Sequence, residues 1–128
     1  MFRFMLQEDV SKFDLSSIET CCNAGEPLNP EIWRKWYDLT GVKMTEGFGQ
    51  SESTVLLANF PWFEPKAGST GKPSPIYDIR LINAEGKECE DGEEGEICIF
   101  GVKEQPPVGL FRGYYQDQVQ TNEALRGE

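Results

Sequence analysis

The feature that most constrains this chain is a strand, a helix and a second strand written into about thirty residues. Ser17-Ile18-Glu19-Thr20-Cys21-Cys22-Asn23-Ala24 reads as a strand that stops at Gly25. Asn29-Pro30-Glu31 opens a helix, with a capping side chain followed by proline where a missing N–H does no harm. Ile32, Trp33, Trp36 and Leu39 then fall on one helical face, and Gly41 stops the helix. Val42-Lys43-Met44-Thr45 is a short second strand, ended by an expected turn at Gly47-Phe48-Gly49. A strand–helix–strand unit of this length implies parallel strands and a right-handed crossover. The Trp33 and Trp36 pair at this spacing is expected in the core rather than as a stacking platform.

Around this unit the texture changes. Phe2, Met5 and Leu6 share a helical face near the start, whereas Ser51 to Phe60 is ambiguous between helix and strand. From about residue 65 the chain reads as strands and turns. Ile76 to Ile82 alternates with period two, Glu96 to Phe100 does so less cleanly, and the glycine- and glutamate-rich stretch between them predicts an antiparallel hairpin. Asp117 followed by Gln120 resembles a capping box for a final helix through Leu125. The predicted class is α/β: a partial parallel sheet over about residues 1–60, then an antiparallel, β-rich portion with a terminal helix. The expected division is 1–64 and 65–128.

Composition removes several function classes. The net charge of −10, from 22 acidic and 12 basic residues, opposes nucleic acid or an anionic membrane as a broad partner. Much of the acid lies between Glu85 and Glu96, expected as a solvated hairpin without the spacing of a calcium loop. There is no histidine, which excludes Ser-His and Cys-His nucleophilic catalysis. The four cysteines contain no Cys-x-x-Cys; Cys21 and Cys22 are expected as buried free thiols, and the usage suits a reducing cytoplasm. No apolar run reaches the roughly 18 residues of a membrane span, and the N-terminus lacks a signal-peptide pattern, so the expectation is a soluble, unprocessed chain.

Chemistry is expected at the carboxyl ends of the parallel strands, where open α/β sheets bind ligands. Two loops leave such ends: Gly25-Glu26-Pro27, and Glu46-Gly47-Phe48-Gly49-Gln50-Ser51-Glu52. In the second, the glycines permit close backbone approach and Phe48 offers a flat face for a purine. Ser51 offers a hydroxyl and an N–H to a phosphate oxygen, and Glu52 the hard oxygen that magnesium prefers. Gly68-Ser69-Thr70-Gly71-Lys72-Pro73 suggests a phosphate loop at first sight, but its glycines stand too close together for the Walker form.

Five ordered blocks together are similar to the adenylate-forming superfamily, and within it to medium-chain acyl-CoA synthetases. They are Gly25-Glu26-Pro27-Leu28-Asn29-Pro30-Glu31, Glu46 to Glu52, Gly68 to Pro75, Gly95-Glu96-Ile97, and Gly109-Leu110-Phe111-Arg112-Gly113-Tyr114-Tyr115. The match extends along almost the whole chain, from Phe2-Arg3-Phe4 to Leu125-Arg126-Gly127. The resemblance implies that Gly25, Glu26 and Pro27 line the adenine side of an ATP site. It implies that Glu46, Gly47, Phe48, Gly49, Gln50 and Ser51 form the loop around adenine and the α-phosphate, and that Glu52 binds Mg2+. Ser51 stands where the family usually has threonine and keeps the hydroxyl. The implied chemistry joins a fatty carboxylate to ATP as an acyl-adenylate with release of pyrophosphate, after which coenzyme A displaces AMP. Such catalysis is positioning and charge stabilisation, with Ser51 and Glu52 as the implied catalytic residues, and it needs no protein nucleophile.

The same resemblance implies an incomplete site. The family's phosphate loop is expected before Met1, and its ribose-binding Tyr-x-Thr-Gly-Asp block, hinge and small C-terminal domain after Glu128. The chain is therefore read as an internal piece of the large domain, inactive alone. The alternative is a binding or oligomerisation module that kept the fold, and exposed strand edges would favour pairing with another copy. Gly49 yields a prediction. Acetate-specific members of the family carry a bulky tryptophan here that closes the acyl pocket, so glycine leaves it open. The full-length enzyme carrying this segment is expected to turn over octanoate faster than acetate; equal or faster turnover of acetate removes this reading.

Overall fold

The computed structural model describes residues 1–103 and 105–126, and the chain divides into two compact units. Gly127, the last residue of the matching pattern, lies outside the described residues. The first unit comprises Met1–Gly49 and Leu57–Lys72, the second Gln50–Leu56 and Pro73–Glu128.

In the first unit, α1 (Phe2–Met5) and a 3-10 turn (Val10–Lys12) precede β1 (Cys21–Ala24), α2 (Pro30–Thr40) and β2 (Met44–Gly49). β1 and β2 pair in parallel with the register Cys21↔Met44 to Ala24↔Gly47, as the strand–helix–strand pattern predicts. The helix signals act as read. The Asn29 side chain accepts a hydrogen bond from the Glu31 N–H at 2.7 Å, and Gly41 closes α2 in the left-handed conformation, its N–H donating to the Tyr37 carbonyl.

The core of this unit joins Phe2, Leu28, Trp36 and Met44, with Leu6, Leu15, Cys21, Ile32 and Trp33 packed against them. Trp36 is 1% exposed and meets the Phe2 ring edge-on at 5.1 Å. Trp33 lies half-buried, with its indole N–H donating to the Met44 carbonyl at 2.8 Å. Both tryptophans are thus packing groups. Leu39 departs from the pattern: it is 54% exposed and lines an open groove with Val10, Phe13 and Leu15.

Three local expectations are corrected. Ser17–Thr20 lie outside β1, because β2 begins only at Met44 and offers them no partner. Cys22 is exposed, since strand alternation turns it away from half-buried Cys21 and buried Asn23. Gly47-Phe48-Gly49 is strand rather than turn: the ladder with β1 continues to Gly47, and neither glycine has a positive φ.

The ambiguous stretch after β2 turns at Gln50–Ser53, where the Ser53 N–H donates to the Gln50 carbonyl, and then forms β3 (Val55–Ala58). β4 is the short Lys72–Pro73, and the four-stranded sheet has the order β1-β2-β3-β4. Gly71 presses on the backbone beside β3. An added Cβ would stand 2.1 Å from the Ala58 carbonyl oxygen, and its φ of +106° is one side chains avoid.

In the second unit, β5 (Asp78–Ile82) and β6 (Glu96–Phe100) form the expected antiparallel hairpin, Asp78↔Phe100 to Ile82↔Glu96. Ile76 and Tyr77 precede the strand; Tyr77 is buried, with its hydroxyl 2.7 Å from Thr54 Oγ1. From Glu85 to Gly95 the acidic connection is exposed apart from Cys89. α3 (Gln118–Ala124) begins at Asp117, whose side chain accepts from the Gln120 N–H. The four cysteines are free. The architecture is the α/β class read from the sequence, and no helix among the described residues is long and apolar enough to cross a membrane.

The core geometry predicts that Trp36→Ala destabilises the chain by about 3–5 kcal/mol, the range for emptying a buried aromatic site. Urea unfolding followed by far-UV circular dichroism measures it; a loss below about 1 kcal/mol contradicts the assignment of Trp36 to the core.

Candidate functional site

In the first unit the parallel register brings the Gly25–Pro27 turn and the end of β2 to one edge of the sheet. Ala24 pairs with Gly47, so the residues that follow leave adjacent strands side by side. Gly25, Glu26 and Pro27 are exposed, and nothing stands where a Gly25 Cβ would be. Phe48 is half-buried and Gly49 exposed. These are an open turn and a partly accessible aromatic ring, compatible with a flat base.

The turn is held from both strands. Buried Asn23 on β1 donates from Nδ2 to the Glu26 carbonyl at 2.7 Å. Glu46 on β2 is 7% exposed, and its Oε1 accepts from the Leu28 N–H at 3.1 Å. The backbone of Glu46 is engaged as well: its N–H donates to Asn59 Oδ1 at 2.8 Å, and its carbonyl accepts from the Asn59 N–H at 2.9 Å. The Met1 amino group lies 3.5 Å from Glu26, an exposed ion pair of little energetic weight.

Gln50, Ser51 and Glu52 belong to the second unit, where Gln50 and Ser51 are exposed and Glu52 is half-buried. The Glu52 carbonyl accepts from the Phe111 N–H at 2.7 Å, and its carboxylate accepts from the Tyr114 hydroxyl at 2.6 Å. Tyr114 is itself fixed. Its N–H donates to Thr121 Oγ1 at 2.8 Å, and its ring meets Phe111 edge-on at 5.0 Å. The Tyr114 hydroxyl is the first cause holding the Glu52 carboxyl below its ordinary pKa, and Glu52 in turn pushes the Tyr114 phenol up.

Nothing in the sequence alone marks Asn23, Asn59 or Tyr114 as functional. Tyr114 stands inside one of the matching blocks, which was its only signal. The asparagines are recognisable only once the fold shows which backbone groups need partners. Among the described residues no three acidic or cysteine side chains converge. A magnesium ion here would have Glu52 as its protein ligand and would take further oxygens from phosphates and water, a common arrangement for this ion.

The family model described as AMP-binding enzyme matches residues 1–115. The chain is 37% identical over 126 residues to the mitochondrial acyl-coenzyme A synthetase ACSM3 of Mus musculus, covering 98% of this chain and 22% of that protein. It is 40% identical over 126 residues to 4-hydroxybutyrate–CoA ligase 1 of Metallosphaera sedula, again 98% of this chain and 22% of the relative. Among solved structures, the anthranilate CoA ligase AuaEII in complex with anthranoyl-AMP superimposes with a TM-score of 0.86 at 28% identity, covering 99% of this chain and 24% of that one. The chain thus spans about a fifth of the length of the relatives it matches.

The Glu52–Tyr114 contact predicts a pH effect. A carboxyl whose folded pKa is lowered adds stability above its unfolded pKa and loses it as pH falls through the folded value. Tyr114→Phe is therefore expected to raise the Glu52 pKa toward the ordinary glutamate value and to shrink that pH-dependent contribution. Carboxyl-carbon NMR titration reads the shift directly, and an unmoved Glu52 pKa in the variant contradicts the bond.

Proposed function

This chain belongs to the AMP-binding enzyme family, and on that basis we propose that it supplies one wall of the ATP site of an acyl-CoA synthetase. The observation that supports this most is the parallel β1–β2 register, which puts the Gly25–Pro27 turn beside the end of β2 at the sheet edge where such folds bind ligands. In this reading Gly25, Glu26 and Pro27 line the adenine, with Phe48 against the base. The loop that Glu46 opens carries Gly47, Phe48, Gly49, Gln50 and Ser51 along the adenine and the α-phosphate, and Ser51 offers its hydroxyl and N–H to a phosphate oxygen. Glu52 holds Mg2+, whose charge would offset that of the phosphates. The reaction is the joining of a carboxylic acid, ATP and coenzyme A into an acyl-CoA, AMP and pyrophosphate, through an acyl-adenylate. The names of the relatives, an acyl-coenzyme A synthetase and a 4-hydroxybutyrate–CoA ligase, accord with this reaction class.

The proposed division follows function: residues 1–64 form the nucleotide-binding portion and residues 65–128 the β-rich portion. The partners are a small carboxylate and a nucleotide. β1 stands at an edge of its sheet, which favours pairing with a second copy, and light scattering reads this directly. Four free thiols fit a reducing compartment, for which we propose the cytoplasm; mouse ACSM3 is by its name mitochondrial, and cell fractionation distinguishes the two.

A single wall should bind weakly and catalyse nothing. Titration of the 128-residue chain with ATP and Mg2+, followed by NMR, is expected to give millimolar affinity with shifts at Gly25–Pro27 and Gly47–Glu52. Glu52→Ala is expected to remove the Mg2+ dependence. No pyrophosphate should form when octanoate is added. Submicromolar binding, shifts confined to other residues, or pyrophosphate release abolished by Glu52→Ala would each refute the proposal.

A further inference from the structure

We infer that Glu46 and Asn59 form a positioning pair for the Gly25–Pro27 turn, and that Glu46 serves the nucleotide through this turn rather than by touching it. The inference rests on the proposal that the turn lines the adenine.

The geometry is that of a brace. The Glu46 side chain points away from solvent, and a carboxyl oxygen accepts the Leu28 N–H directly behind the turn. Buried acceptors and donors are costly to leave unpaired, so this bond fixes the exit of the turn to β2. Asn23 fixes its interior to β1 through the Glu26 carbonyl. The turn is thereby attached to two paired strands and inherits their rigidity.

Asn59 keeps Glu46 in place. β3 ends at Ala58, yet Asn59 still exchanges two hydrogen bonds with the Glu46 backbone. One uses the Asn59 N–H; in the other, the side-chain Oδ1 takes the position of a strand carbonyl. The Asn59 Nδ2 then donates to the Ser69 carbonyl at 3.2 Å. Gly71 fits against the backbone of Ala58 and Asn59, where a Cβ would stand 2.1 Å from the Ala58 oxygen and 2.5 Å from the Asn59 nitrogen. One line of contacts therefore runs from the Gly68–Gly71 loop through Asn59 and Glu46 to the turn. This gives the Gly68–Pro73 block a role without any contact to phosphate.

The alternative is that Glu46 acts by its charge on the ligand. Two readouts on the 128-residue chain separate the two: hydrogen exchange of the Leu28 amide, and ATP–Mg2+ affinity by NMR titration. Glu46→Gln retains an oxygen acceptor without the charge, and is expected to keep Leu28 exchange slow and the affinity within about twofold. Glu46→Ala and Asn59→Ala are expected to speed Leu28 exchange by about tenfold or more and to weaken ATP by a similar factor, the effect of losing one buried bond of this kind. Glu46→Gln that weakens ATP about tenfold or more with Leu28 exchange unchanged overturns the inference, and so does unchanged Leu28 exchange in a folded Glu46→Ala. Should Glu46→Ala fail to fold, Glu46→Gln and Asn59→Ala decide the matter. Absence of ATP binding by the unaltered chain would refute the proposed function, while Leu28 exchange in the variants would still test the pair's hold on the turn.

Discussion

The parallel pairing of β1 with β2 is the constraint on which the first unit depends. Two parallel strands need a crossover, and α2 supplies it, so the helix must pack on the sheet through Trp36 against Phe2 and Met44. The pairing also points both strand ends in one direction. The turn at Gly25 and the stretch after Glu46 then emerge side by side, although more than a helix separates them in sequence. The Trp33 indole, bonded to the Met44 carbonyl, ties the crossover back to the strand it precedes. Fold and candidate site are thus two consequences of one register.

Local signals with a strong physical basis were legible in the sequence. Asn29-Pro30 and Gly41 bounded α2 because capping and the left-handed conformation act over a few residues. The hairpin of β5 and β6 followed from alternation and turn residues. What failed needed a partner to decide it. Ser17–Thr20 have strand character but nothing to pair with, and Gly47-Phe48-Gly49 looks like a turn but continues β2, with Gly47 paired to Ala24. Ser51–Phe60 could be settled only by the sheet that receives Val55–Ala58.

The same distinction runs through the site. Residues that a ligand would meet stand in recognisable blocks, because glycines, an aromatic ring and a carboxylate have evident chemistry. Residues that support them have none of their own. Asn23 and Asn59 are ordinary polar residues until the fold shows the carbonyl and amide groups they satisfy. Tyr114 reaches Glu52 across 62 positions of sequence, a distance over which no periodicity carries information.

The contact at Gly71 also bears on how this segment can diverge. The space for a side chain is filled by main chain, which no compensating change at a neighbouring side chain can vacate. Neutral drift at this position is therefore closed, whereas Ser69, whose carbonyl does the bonding to Asn59, can change its side chain freely as far as that bond is concerned. A glycine-rich signature can persist under these conditions through steric exclusion alone, so its retention among relatives would report the packing of a loop on a strand and not the presence of a phosphate.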